Sequence, residues 1–142
     1  MIVTISADKG LERYDIYNRA VKAPDFAKHL RQLRKMSGDR PLAILMDQLS
    51  VHSAKNEVIH LYSELDIKQI LNIGYSPEFN CIESCFSQVK RLYNRVRLNA
   101  FANENEFDEV KHIKKSLKII TKDLADVCAR KSLFLLKRDL EI

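Results

Sequence analysis

The chain has 142 residues, 46% apolar and 30% charged, which suits one soluble globular domain and is short for two. Three Gly, three Pro and no apolar run near the roughly 18–20 residues of a membrane span exclude collagen-like, low-complexity and membrane-spanning classes. The net charge of +5, from 24 basic and 19 acidic residues, points only weakly to a polyanionic partner, and MIVTISADKG lacks the basic-then-apolar order of a signal peptide.

Met1–Ala7 alternates like a strand, and Asp8-Lys9-Gly10 is a turn signal. Leu11–Arg19 alternates again, so the first twenty residues predict a hairpin. Ala23-Pro24-Asp25 opens a helix with Pro early and an acid in the first turn. Its stripe is Phe26, Leu30, Leu33 and Met36, and Gly38 closes it. Pro41–Met46 is a short, nearly all-apolar run ending at Asp47, which suits a strand buried on both faces. A helix beginning at Ser53 carries Val58, Leu61, Tyr62 and Leu65, and Ile67–Ile73 follows as a second apolar strand. Strand, helix, strand predicts a right-handed crossover with parallel strands.

After the loop Gly74–Phe79, Ile82, Cys85, Phe86, Val89, Leu92, Tyr93 and Val96 recur at helical spacing. Asn103-x-x-Glu106 matches a capping box for one last long helix carrying Phe107, Val110, Leu117, Ile120, Leu124 and Val127. Between Lys111 and Arg138 stand nine Lys or Arg and two acids, a solvated face or a backbone-binding surface. Three cysteines and no secretion signal predict free thiols. Cys81 and Cys85 are spaced to share a ligand, but no second pair completes a zinc site, so small buried thiols are expected.

Sites in open α/β sheets form at the carboxyl ends of parallel strands. Asp47 sits at such an end, and Glu83 begins the helix after the next strand. Two carboxylates there can hold Mg²⁺, which prefers oxygen ligands and keeps several waters. Each acid also has a structural account. Asp47 can end a strand or cap a turn, and Asn80-Cys81-Ile82-Glu83 fits a capping box.

The segment Leu45-Met46-Asp47-Gln48-Leu49-Ser50-Val51-His52 resembles the Asp-Asn-x-x-x-His pattern of mariner-type DDE transposases and related bacterial insertion-sequence enzymes. Tyr75-Ser76-Pro77-Glu78-Phe79-Asn80-Cys81-Ile82-Glu83 resembles their Tyr-Ser-Pro-x-Leu-Asn-Pro-Ile-Glu, and Ser87-Gln88-Val89-Lys90 their Ser-x-x-Lys. Thirty-five residues separate Asp47 from Glu83, a gap typical of the family's second and third acids. The departures are Gln48 for Asn, Cys81 for Pro and Phe86 for Trp.

The resemblance implies an RNase-H-like mixed α/β sheet with flanking helices, residues 1–99 forming the core and 100–142 a basic helical region of one partial DDE catalytic domain. It implies Asp47 and Glu83 as catalytic acids holding Mg²⁺ or Mn²⁺. Lys90, Arg91 and Arg97 would run along DNA, with His52, Asn80 and Tyr75 at the mouth of the site; Ser87 and Asn94 share the polar stripe. The parent reaction would be DNA nicking and strand transfer, on transposon ends and target DNA. That work belongs in the cytoplasm at the nucleoid if bacterial, or in the nucleus if eukaryotic.

The family's first acid lies on a central strand that this chain lacks in the resemblance, and neither Asp8 nor Asp15 replaces it. With two of three acids, little activity is expected from the chain alone. The partners implied are a homodimer, or a second transposase subunit that supplies the missing strand. The alternative is an inactive remnant that binds DNA or a full-length transposase.

Overall fold

The computed structural model describes residues 1–47, 58–74 and 76–139. Its elements are β1 (Ile2–Ser6), β2 (Gly10–Asp15), α1 (Ala23–Ser37), β3 (Leu42–Met46), α2 (Ile59–Glu64), β4 (Ile67–Leu71), α3 (Cys81–Ala102), α4 (Glu109–Leu117) and α5 (Lys122–Asp139). This is a mixed α/β chain with small sheets and flanking helices, consistent with the RNase-H-like expectation. Among the described residues β1 pairs with β2 and β3 with β4, in two separate two-stranded sheets. The chain forms two compact units, Met1–Val3 with Arg13–Asn80, and Thr4–Glu12 with residues 81–142.

In the first unit α1 starts where the sequence predicts. The Asp25 carboxylate accepts the Lys22 N–H at 2.9 Å and pairs with Arg19, whose hydrogen bond holds the Asp25 pKa down to about 2. Gly38, at φ 57°, ends the helix by donating its N–H to the Arg34 carbonyl. The Arg34 guanidinium then donates to the carbonyls of Gly38, Arg40 and Asp66, tying the end of α1 to the α2–β4 turn.

β3 and β4 are parallel, with Leu42 opposite Ile67 and Met46 opposite Leu71. Phe26, Ala27, Leu30, Met46, Val58, Leu61, Tyr62 and Ile67 form the core, with Leu42 and Ile44 packed against it. Fully burying one such large side chain contributes about 1.5–3 kcal/mol. Tyr62 donates its hydroxyl to the Met46 sulfur at 3.2 Å, and burial raises its pKa to about 12.

Four expectations need correction. β3 is buried on one face only: Ala43 and Leu45 are exposed, as is Ile70 opposite Leu45, because the helical layer covers only the side of Leu42, Ile44 and Met46. β2 stops at Asp15 rather than Arg19. The predicted last helix is two helices, broken at residues 118–121. There the Ile120 carbonyl accepts the Leu11 N–H at 3.0 Å, a bond no continuous helix would leave open. Asn103 does not cap α4; its amide donates to the Asn99 carbonyl at the end of α3, and Asp108 caps α4 by accepting the Lys111 N–H at 2.9 Å. The predicted helix start at Ser53 lies outside the described residues; α2 begins at Ile59.

The second unit packs α3 against α4 and α5. Gly10, at φ 82°, lets the hairpin tip approach this unit closely. A Cβ there would stand 2.6 Å from the Lys122 nitrogen and overlap the Thr121 backbone. Thr121 starts α5, its hydroxyl accepting the Leu124 N–H. Phe107 stacks on His112 and meets Tyr93 edge-on, folding the α3–α4 connection onto the helices.

Candidate functional site

Asp47 is the first residue beyond β3, at the carboxyl end of a strand in a parallel pair, and is half-buried. Its backbone position is fixed from the neighbouring strand. The Asn72 N–H donates to the Met46 carbonyl at 2.7 Å, continuing the ladder past β4. The Asn72 side chain, buried, donates to the Ser76 carbonyl at 2.8 Å. One residue thus links the strand end that carries Asp47 to the turn entering α3. Sequence reasoning missed Asn72. The signal was a polar residue closing an apolar strand beside a predicted site.

That turn is a single 3-10 turn over Pro77–Phe79, with Pro pre-set for its first position. The Asn80 N–H donates to the Pro77 carbonyl at 2.9 Å, and Asn80 is buried directly before α3. His52 and Tyr75 lie outside the described residues.

In the second unit Glu83 is exposed in the first turn of α3, where a negative charge is favoured by the helix dipole. Ser87, Lys90, Asn94 and Arg97 follow at four, seven, eleven and fourteen residues, so they share its stripe, and all are exposed. Lys90 stands about 10 Å along the axis from Glu83. Arg91 is exposed one position further round, and Arg97 lies over the Phe101 ring at 5.6 Å. The opposite face buries Cys85 and Val89.

Asp15 is committed elsewhere. Its carboxylate accepts two hydrogen bonds from Arg13, at 3.1 and 2.7 Å, and one from His29 Nδ1 at 2.5 Å. Burial raises its pKa, but the bonds from His29 and Arg13 outweigh that and leave it below the usual carboxylate value. Burial keeps His29 below the usual imidazole value despite the carboxylate beside it. Asp8 is exposed in the hairpin turn.

All three cysteines are free. Cys85 and Cys128 are buried and hydrogen-bonded to each other between α3 and α5, and burial first, then Cys128, pushes the Cys85 thiol up to about 12. Among the described residues no group of three or more His, Cys, Asp or Glu is placed to hold a metal ion. Asp47, half-buried, and Glu83, exposed, are carboxylates, the donor type a hard cation takes.

No helix among the described residues is long and apolar enough to cross a membrane. No curated protein matches the chain. The family model of the DDE superfamily endonucleases matches residues 1–107, which include β1 through α3, Asp47, Glu83 and the whole polar stripe of α3. The chain therefore belongs to the DDE superfamily endonuclease family.

Proposed function

We propose that this chain is part of a mariner-type or insertion-sequence transposase catalytic core acting on DNA, with Asp47 and Glu83 as the second and third acids. The observation that carries the reading is the place of Asp47. It ends a strand of a parallel pair, is held by Asn72, and falls within the family match together with Glu83. Asp47 and Glu83 would hold Mg²⁺ or Mn²⁺, with water completing the shell. Such an ion, when bound, lowers the pKa of an attacking water or hydroxyl and stabilises the leaving oxygen of a phosphodiester. Lys90, Arg91 and Arg97 would lie along phosphates, fixing the register of the DNA rather than reading bases. Asn80, and His52 and Tyr75 with it, would line the entrance.

β3 is paired on one edge only among the described residues, and Ala43, Leu45 and Ile70 leave one sheet face apolar and open. A strand from a second transposase subunit would pair there, bringing the remaining acid.

The test is metal-dependent nicking of supercoiled DNA by the full chain, supplied with a transposase subunit that carries the remaining acid, and by Asp47→Asn and Glu83→Gln under the same conditions. Nicking should be lost in both variants while DNA binding persists. Nicking that survives Asp47→Asn at the original rate contradicts the assignment. Persistent DNA binding without nicking in the unaltered chain favours the second reading, a binding protein descended from a transposase.

A further inference from the structure

Residues 1–110 carry fifteen Lys or Arg and fifteen Asp or Glu, a formal charge of zero. Residues 111–142 carry nine against four, so they hold the whole +5 of the chain. That excess begins beyond residue 107, where the family match ends. It is sharpest on α4. Lys111, Lys114 and Lys115, with Lys118 at the C-cap still in helical conformation, stand at i, i+3, i+4 and i+7, all exposed on one face, while Ser116 and Leu117 are buried on the other. No acid occurs between Glu109 and Asp123. None of the four lysines forms an ion pair with another described residue, whereas Arg130 on α5 is paired with Asp126.

Folding alone does not account for this stripe. Lysines at these spacings repel one another. Lys114 and Lys115 suit the negative end of the helix dipole, but Lys111 lies in the first turn, at the positive end. A solvated face would be served as well by mixed charges. A phosphate backbone relieves the repulsion and releases counterions. The stripe holds no Arg, Asn or Gln to read base edges, only point charges.

We propose that the α4 lysine stripe is a second DNA-contacting surface, which takes the phosphate backbone of duplex DNA without base preference. It rests on the proposed function only in naming DNA as the polyanion. The test uses the full chain and the quadruple variant Lys111→Gln/Lys114→Gln/Lys115→Gln/Lys118→Gln. Binding of a random-sequence duplex is followed by anisotropy across a series of KCl concentrations. Four lost phosphate contacts should make the slope of log K against log salt shallower by about 3–4. The melting temperature should stay level or rise, because repulsion is removed, and the matching Lys→Arg variant should keep the slope. Binding is followed without added divalent metal, so failure of the nuclease reading and failure of this one are read separately. A quadruple variant with the original slope, or no duplex binding by the unaltered chain, overturns the proposal. Polyglutamate bound as tightly as the duplex at equal salt also overturns it, in favour of an acidic protein partner.

Discussion

The two units differ in the grain of their cores. The first is filled by Phe26, Leu30, Leu61 and Tyr62 packed on a parallel strand pair. The second buries small residues, Ala125, Cys85, Cys128, Ser116 and Ser132, with Val89, Leu117 and Ile120 as its larger members. Small residues let helices approach closely but give less apolar volume to remove from water. Both units leave large apolar groups outside, the first Leu71 and Ile73, the second Leu98, Phe101 and Phe134. The two units are brittle in different places. The first depends on a few large side chains behind Asp47, and the second on close backbone approach.

Truncation separates the two most strongly. Leu61→Ala, at a position 1% exposed, should destabilise by about 3–5 kcal/mol in urea unfolding, the cost of a large buried cavity. Cys85→Ala, though fully buried, removes one atom and should cost about 1 kcal/mol. Equal costs would break the comparison. Gly10→Ala tests close approach directly. It adds a Cβ where φ is positive and the Thr121–Lys122 backbone is already in contact, and should destabilise by about 2–4 kcal/mol. A cost near zero there would show that the hairpin tip can lift away.

The smallest effect is on pH dependence, and it belongs to the first unit. His29 is held below its ordinary value of 6.5, so the unfolded chain binds more protons as pH falls through that value, and stability should begin to drop there. Asp15 is held below 3.8, so a second loss should follow on further acidification through that value. Urea midpoints measured along a pH series should show both steps. His29→Gln should erase the upper one.

Much of the fold was legible because its signals are local. Pro24, Asp25 and Gly38 bracket α1, and apolar runs bracket a parallel β3–β4 pair. The failures were non-local. Nothing within residues 107–127 announces that the Ile120 carbonyl is taken by Leu11, over a hundred residues away, so one helix was expected where two stand. The all-apolar composition of β3 overstated its burial, because composition cannot say how many faces are covered. At the candidate site the acids and the exposed stripe of α3 were legible as spacing and motif. Asn72 was not, because its role depends on a ladder bond to Met46 and a side-chain bond to Ser76. The meeting of Cys85 with Cys128 is likewise a product of helix packing.

Asp47 and Glu83 are proposed to hold Mg²⁺ or Mn²⁺. The most direct measurement is a Mn²⁺ titration of the isotopically labelled chain followed by amide NMR. Signals around Met46–Asp47 and Cys81–Glu83 should broaden together, at one and the same Mn²⁺ concentration, and Asp47→Asn should abolish both. Broadening at only one of the two acids, or at neither, would contradict that assignment.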